Sequence, residues 1–252
     1  MFVRFLLDGN TYYGIEDNGK VTLLEGDLFK GYQKTERVVS LQEITLLPPC
    51  TPSKIICVGR NYKAHAEEMN AKPPEQPILF MKPNTTLITD GDSVIYPKES
   101  NKVDHEAELA VVIGKKGRRI PVNEAIDYIF GYTCALDMTA RDLQRKDGQW
   151  MRGKSFDTFC PLGPGIVSTL DLEDAAIEMY VNGEKRQDSN INRMIFSVPY
   201  LVSYISQGMT LYPGDVILTG TPEGVGPVQP GDQLKMRIAG IGELAVSVVA
   251  EE

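Results

Sequence analysis

Histidine and cysteine are scarce in this chain, which narrows the chemistry available to it. The 252-residue sequence contains two histidines and four cysteines. Two histidines are too few for a His-rich metal site. Cys50, Cys57, Cys134 and Cys160 form no Cys-x-x-Cys pair, which argues against a zinc ribbon. In a reducing compartment, isolated cysteines of this kind are expected to be small buried hydrophobic residues.

The sequence also lacks basic clusters and long apolar stretches. Its net charge is −8, which argues against binding to the phosphates of nucleic acid and to anionic membrane surfaces. No apolar stretch approaches the roughly 18 residues that cross a bilayer, and the opening Met1-Phe2-Val3-Arg4 does not resemble a signal peptide. We therefore expect a cytoplasmic protein with no nucleic-acid or membrane partner.

The length allows one or two domains, and the first fifty residues differ in pattern from the rest. A strand-turn-strand pattern spans residues 6–15, and Asp17-Asn18-Gly19-Lys20 is a second hairpin signal. Pro48-Pro49 and Pro52 mark a linker. We predict a small N-terminal β-rich domain over residues 1–50 and a second domain over residues 51–252.

The second part of the chain alternates many short strands with few helices. Strand patterns are found at 55–59, 78–81, 94–96, 108–113, 132–136, 176–181, 215–218, 233–238 and 244–249. Helix patterns are found at 61–69, 121–130, 139–146 and 198–206. This content predicts a β-rich α+β fold, and the helices are too sparse for a TIM barrel.

Three carboxylates are candidates for a metal site. Alternate residues of a strand share a face, so Glu106 and Glu108 point the same way and repel each other. A hard divalent cation relieves that repulsion, and Asp137, at the end of the strand 132–136, is placed to be a third ligand. The alternatives are a solvated edge strand for the glutamates and a helix N-cap for Asp137.

A histidine and a lysine are candidates for catalysis. If residues 61–69 are helical, His65 and Glu68 are neighbours on one helix face, and a carboxylate beside an imidazole suits a general base. The alternative is an incidental ion pair on an exposed helix. Lys154 is either a cation that binds a carboxylate or a solvated lysine. His105 lies opposite the glutamate face, so we interpret it as structural.

A loop rich in glycine and threonine spans residues 218–226. Its composition lets a backbone approach a ligand closely and offers donors to an anion. The loop lacks the Gly-Lys-Ser/Thr ending of a Walker motif, and no helix follows it as in a Rossmann fingerprint. The alternative is a tight loop between strands.

The order of these segments resembles the catalytic domain of the fumarylacetoacetate hydrolase family. The similar segments are Val58-Gly59-Arg60-Asn61-Tyr62-Lys63-Ala64-His65, Lys82-Pro83-Asn84, Glu106-Ala107-Glu108-Leu109, Leu136-Asp137-Met138-Thr139-Ala140-Arg141-Asp142, Gly153-Lys154-Ser155-Phe156-Asp157 and Pro213-Gly214-Asp215-Val216-Ile217 with the Thr-Gly-Thr-Pro loop. The resemblance covers residues 53 to about 249. It implies a mixed β-sandwich roll preceded by the small N-terminal domain, and a homodimer.

The resemblance also implies a site for a 2-oxo acid. It places one Mg²⁺ or Mn²⁺ on Glu106, Glu108 and Asp137. In the acylpyruvase and oxaloacetate decarboxylase branch, a His-x-x-Glu pair, here His65 and Glu68, lies on a short lid helix that orders on ligand binding. Lys154 matches the family's active-site lysine, and the positions that match substrate contacts are Arg141, Gln144 and Thr221.

The expected function is metal-dependent cleavage of a C–C bond in a 2-oxo acid, through an enolate that the metal stabilises. The substrate would be an acylpyruvate-like acid that is hydrolysed or oxaloacetate that is decarboxylated. Hydration or isomerisation of a 2-oxo or 2-hydroxy-diene diacid in aromatic catabolism is the alternative, and a family member that only binds its ligand is a further one. Three prolines after the helix, at 73, 74 and 77, predict a segment 61–76 that is loose without substrate.

Overall fold

The computed structural model describes all 252 residues as twenty strands, four α-helices and four short 3₁₀ helices. The strands are β1 (Phe2–Leu7), β2 (Asn10–Asp17), β3 (Lys20–Asp27), β4 (Gly31–Ser40), β5 (Thr45–Leu47), β6 (Ile55–Gly59), β7 (Ile78–Lys82), β8 (Leu87–Ile88), β9 (Ser93–Tyr96), β10 (Val103–His105), β11 (Ala107–Ile113), β12 (Ile129–Leu136), β13 (Thr139–Ala140), β14 (Cys160–Val167), β15 (Ala176–Val181), β16 (Glu184–Asn190), β17 (Val216–Leu218), β18 (Gly226–Val228), β19 (Gln233–Ile238) and β20 (Gly242–Ala250). The α-helices are α1 (Lys63–Glu68), α2 (Arg141–Asp147), α3 (Met151–Lys154) and α4 (Val198–Gly208). The 3₁₀ helices are Leu41–Glu43, Asn84–Thr86, Val122–Tyr128 and Ile191–Arg193. No helix is both long enough and apolar enough to cross a bilayer.

The first four strands form an antiparallel meander whose first two turns are at the predicted positions. Gly9 and Gly19 close two of the turns with φ values of 77° and 79°, a region that glycine enters at little cost. The meander has a small core of its own, and β1 also pairs with β14. The N-terminal residues therefore extend the main sheet of the molecule.

The main sheet has twelve strands, ten of them in the order β4-β3-β2-β1-β14-β12-β11-β17-β6-β7. β11 lies inside it, paired with β12 and β17, and every residue of β11 is buried. Its alternate side chains enter two cores. Leu109 and Val111 join the large core shared with the five-stranded sheet β16-β15-β19-β20-β9, while Ala110 and Val112 join a smaller one. This layered, strand-rich arrangement confirms the predicted β-rich α+β class.

Two predicted helices begin later than their patterns indicated, and a third is a 3₁₀ helix. The first α-helix starts at Lys63 because the Asn61 side chain is engaged outside it, donating to the carbonyls of Thr219 at 2.7 Å and Phe196 at 3.0 Å. The next starts at Arg141, since Thr139 and Ala140 pair with β10 as a short strand. The segment expected as a helix over residues 121–130 is the 3₁₀ helix at 122–128.

Candidate active site

The three predicted metal ligands meet where two neighbouring strands join. Glu106 precedes β11 and Glu108 lies on it, while Asp137 follows β12, and Ala107 is paired with Leu136 across the two strands. The backbone N–H of Asp137 donates to the carbonyl of Glu106 at 2.9 Å. One carboxylate oxygen from each of the three lies within 4.8 Å of the others, and all three side chains are buried.

The two glutamates of this triad differ sharply in pKa. Burial, then Asp137 and Glu106, raise the pKa of Glu108 well above its usual value, although the N–H of Gly220 donates to its carboxylate at 2.7 Å. Burial also opposes ionisation of Glu106, but Lys154 and Arg141 hold its pKa well below the usual range. The triad therefore combines hard oxygen donors with a buried carboxyl that lacks a cation of its own. That arrangement fits a hard divalent cation.

Lys154 lies at the centre of the site and is almost completely buried. Its Nζ donates to Glu106 Oε2 at 2.7 Å and to Asp137 Oδ2 at 2.6 Å. Burial lowers the pKa of Lys154, but the carboxylates of Asp137 and Glu106 outweigh it and raise the pKa overall. The ammonium is thus charged and held by carboxylates, which excludes the solvated-lysine interpretation.

A second buried lysine, which the sequence analysis did not identify as a site residue, supports the same aspartate. Lys82 ends β7, and its Nζ lies 2.8 Å from Asp137 Oδ1. The ammonium also donates to three backbone carbonyls, those of Met138, Phe159 and Lys154. Asp137 is therefore held between two ammonium groups. It caps no helix, because α2 begins four residues later with Ala140 at its N-cap position.

Arg141 connects the triad to further polar groups. Its guanidinium donates to Asp104 Oδ2 at 2.8 Å, to Gln144 Oε1 at 2.8 Å and to Glu106. Asp104 was not predicted as a site residue. The alternation of Asp104, Glu106 and Glu108 along one strand direction was the signal that would have placed all three on one face.

His65 and Glu68 form the expected pair on α1. His65 Nδ1 lies 3.2 Å from Glu68 Oε2, and the imidazole is buried, so the pair is not an incidental contact on an exposed helix. Glu68 Oε1 also accepts the N–H of Gly224 at 3.1 Å. An Nδ1–H held by a carboxylate leaves Nε2 as the basic nitrogen. Glu68 therefore both orients the imidazole and ties α1 to the glycine-rich loop.

Thr221, in the same loop, is positioned by a glutamine that sequence reasoning missed. Gln187 Nε2 donates to Thr221 Oγ1 at 2.8 Å, and Gln187 Oε1 accepts the N–H of Ala107 at 3.0 Å. Gln187 lies on β16, far from both partners in sequence. No local pattern marks a contact of this kind.

A cavity of about 390 Å³ connects these groups. Of the predicted site residues, all except Glu68 line it: His65, Glu106, Glu108, Asp137, Arg141, Gln144, Lys154 and Thr221. Only four of its sixteen lining residues are hydrophobic. His105 is buried outside this lining, and burial lowers its pKa, in keeping with a structural role. The geometry thus combines an acidic triad, four cationic side chains and an oriented imidazole around one space.

Comparison with known sequences identifies the family. A family model described as the C-terminal domain of fumarylacetoacetate hydrolase matches residues 54–249, and a second, described as Rv2993c-like N-terminal, matches residues 1–49. The chain belongs to the fumarylacetoacetate hydrolase family.

Relatives in this family carry several activities. The chain is 45% identical over 224 residues to a mitochondrial oxaloacetate tautomerase, Fahd2a, from Rattus norvegicus, covering 84% of this chain and 72% of the rat protein. Among solved structures, 5-carboxymethyl-2-hydroxymuconate delta-isomerase from Mycobacterium smegmatis is 41% identical, with a TM-score of 0.93 over 99% of both chains. Fumarylpyruvate hydrolase from Pseudomonas aeruginosa, in complex with Mn²⁺ and pyruvate, is 41% identical, with a TM-score of 0.76 over 82% of this chain and 92% of the other.

Proposed function

We propose that this protein is a divalent-metal-dependent hydrolase that cleaves the C–C bond of acylpyruvate-like 2-oxo acids. The observation that carries the proposal is the His65–Glu68 pair, whose imidazole lines the same cavity as the carboxylate triad. A hydrolase needs a base beside the reacting carbon, and an imidazole oriented by a carboxylate meets that need.

The residues of the triad, Glu106, Glu108 and Asp137, would hold Mg²⁺ or Mn²⁺, and the solved structure of the fumarylpyruvate hydrolase relative with Mn²⁺ and pyruvate supports this choice. When bound, the cation supplies a Lewis acid for the 2-oxo carbonyl and the adjoining carboxylate of the substrate. Lys154 keeps two triad carboxylates together and offers its protons to an oxygen of the substrate. Thr221 offers its hydroxyl at the cavity wall.

His65 has the central role in the proposed reaction. Its Nε2 accepts a proton from water as the water attacks the C4 ketone, while Glu68 stabilises the imidazolium that forms. The C3–C4 bond then breaks, C4 leaves as a carboxylic acid, and C3 takes up the proton to give pyruvate. Where C3 carries a carboxylate, as in oxaloacetate, the same cavity would allow loss of CO₂ without an attacking water.

The test combines metal removal with substitution of His65. EDTA should abolish acetylpyruvate hydrolysis, and Mg²⁺ or Mn²⁺ should restore it. His65→Ala should bind Mn²⁺ with the wild-type affinity in calorimetry and lose hydrolysis by roughly 10²–10⁴-fold, the range for a general base. Glu67→Ala is the matched control, because Glu67 is exposed on the same helix. Full activity in the metal-free protein, or an unimpaired His65→Ala, would contradict the proposal.

Proton relocation without bond cleavage is the second candidate. The isomerase and tautomerase relatives support it, because a cavity that stabilises charge on a 2-oxo acid also favours exchange of a proton at C3. An assay of the enol-to-keto conversion of oxaloacetate, monitored by ultraviolet absorbance, distinguishes tautomerisation from C–C bond cleavage. Fast tautomerisation with no pyruvate formed from acetylpyruvate or oxaloacetate would favour the second candidate.

A further inference from the structure

Two guanidinium groups in the cavity have no hydrogen-bond or ion-pair partner in the protein. Arg60 and Arg145 both line it, and neither makes a hydrogen bond or a salt bridge with a carboxylate. The other cations of the cavity, Arg141 and Lys154, are each paired with two buried carboxylates. The cavity therefore offers two free positive charges to whatever enters it.

Arg60 is held in place by its surroundings. It follows β6 with a φ of +57°, an uncommon conformation for a residue other than glycine. Its guanidinium lies over the ring of Trp150, 5.7 Å from the centroid. That ring in turn packs on Gly59, where a Cβ would lie 2.4 Å from it. Stacking on Trp150 orders the guanidinium at the cavity wall without neutralising its charge.

Arg145 is placed by the face of α2. Arg141, Gln144 and Arg145 have the spacing of one helix face, and all three line the cavity. Arg141 and Gln144 are buried, whereas Arg145 is exposed and Arg60 is partly exposed. The carboxylate triad is buried. The cavity thus has an acidic, metal-binding floor and a basic mouth.

We propose that Arg60 and Arg145 form a second anion-binding subsite that selects 2-oxo acids carrying another carboxylate at the far end of the acyl chain. The inference rests on the proposed function, in which the 2-oxo acid end of the substrate binds at the triad. A volume of about 390 Å³, against roughly 30 Å³ for one water in the liquid, leaves space beyond a pyruvate-sized head. Guanidinium groups bind carboxylates with paired hydrogen bonds.

Two acylpyruvates with equal chain length test the subsite. Butyrylpyruvate ends in a methyl group, and succinylpyruvate ends in a carboxylate. The wild-type protein should show a kcat/KM for succinylpyruvate at least about tenfold above that for butyrylpyruvate, expressed mainly in KM. Arg60→Gln and Arg145→Gln should each lower this ratio at least about fivefold. Lys146→Gln is the matched control, because it removes a positive charge next to Arg145 but outside the cavity lining.

The outcomes separate this inference from the proposed function. Equal kcat/KM for the two acids in the wild-type protein, or equal ratios in Arg145→Gln and Lys146→Gln, would overturn the subsite while leaving hydrolysis intact. If neither acid is cleaved, the proposed function fails. The subsite is then tested by how much added 2-oxo acids raise the Tm of the protein in the presence of Mn²⁺. There, 2-oxoadipate should stabilise the wild-type protein more than 2-oxohexanoate, with the difference reduced in Arg60→Gln. Equal stabilisation by the two acids would overturn the subsite.

Discussion

The buried charges of the site nearly balance one another residue by residue. Four buried carboxylates lie beside three buried cations. The carboxylates are those of Asp104, Glu106, Glu108 and Asp137, and the cations are Lys82, Arg141 and Lys154. Removing one partner of a buried pair costs about 3–5 kcal/mol, because the other charge is left uncompensated. Each of these residues therefore affects the stability of the fold as well as catalysis. For each substitution, both the free energy of unfolding and the activity have to be measured.

Lys154 provides the sharpest prediction at this scale. Lys154→Met keeps most of the side-chain length but leaves Glu106 Oε2 and Asp137 Oδ2 facing each other without the ammonium. We expect kcat/KM to fall at least roughly tenfold, about 1.4 kcal/mol, and the metal-free protein to lose about 3 kcal/mol of stability. Mn²⁺ should raise the Tm of the variant more than that of the wild-type protein, because the cation replaces the lost charge.

Steady-state kinetics and thermal denaturation with and without Mn²⁺ check this prediction. Lys146→Met, which truncates an exposed lysine, should leave kcat/KM and the Tm unchanged. Wild-type kcat/KM in Lys154→Met would show that the ammonium has no part in turnover.

The site residues that could be predicted from the sequence are those with a local signal. His65 and Glu68 are three positions apart on one helix, and Glu106 and Glu108 alternate on one strand direction, so a short pattern predicts their geometry. Lys82 has no such signal. It ends an apolar strand as many exposed lysines do, and only the fold brings it to Asp137, 55 positions along the chain.

At the scale of elements, α1 is anchored at its beginning and lightly held at its end. Besides the Asn61 side-chain bonds, the N–H of Ile195 donates to the carbonyl of Asn61 at 2.7 Å, and Tyr62 is buried and forms a bridge with Met194. At the last residue of the helix, Glu68 accepts the N–H of Gly224. The segment predicted to be loose, 61–76, therefore has its first two residues held by the rest of the fold.

The bond from Glu68 to Gly224 gives a testable consequence for this helix. Glu68→Ala removes the tie to the loop and the partner of His65 together, so we expect faster amide hydrogen exchange over residues 63–71 and a loss of hydrolysis of at least about tenfold. Glu67→Ala is the control, because Glu67 lies on the same helix and its carboxylate is 3.9 Å from the ammonium of Lys63. This variant should change neither the exchange rates nor the rate of hydrolysis. Unaltered exchange in Glu68→Ala would show that other contacts hold α1 down.

At the scale of the whole molecule, the four cysteines report on global unfolding. All four are buried and unpaired. Burial raises the pKa of Cys50, Cys134 and Cys160 to about 12 and the pKa of Cys57 well above its usual value. Because the thiolate is the reactive form, we expect no reaction of the native protein with a disulfide reagent at pH 8. All four thiols should react in urea. Rapid modification of a native thiol would reveal local opening.

The junction segment that leads from the N-terminal meander into β6, residues 53–54, is held by one buried aspartate. Asp215 accepts the N–H of Ser53 at 3.1 Å, the Ser53 hydroxyl at 2.6 Å and the N–H of Tyr212 at 2.8 Å, and it pairs with the ammonium of Lys54. These bonds fix the segment that leads into β6 against the start of β17, its parallel neighbour. Asp215 thereby joins segments about 160 positions apart.

Replacing this aspartate should destabilise the whole chain rather than the site alone. Asp215→Ala leaves several partly buried donors and a partly buried ammonium unpaired, so we expect a loss of about 3 kcal/mol in the free energy of unfolding. Asp188→Ala, which removes an exposed partner of Lys185, should stay within about 0.5 kcal/mol of the wild-type protein. Urea unfolding followed by circular dichroism gives both values. Since Asp215 lies outside the cavity lining, the folded fraction of Asp215→Ala should retain the wild-type KM. An equal loss of unfolding free energy in Asp215→Ala and Asp188→Ala would mean that the pairing of β6 with β17 alone holds the junction segment.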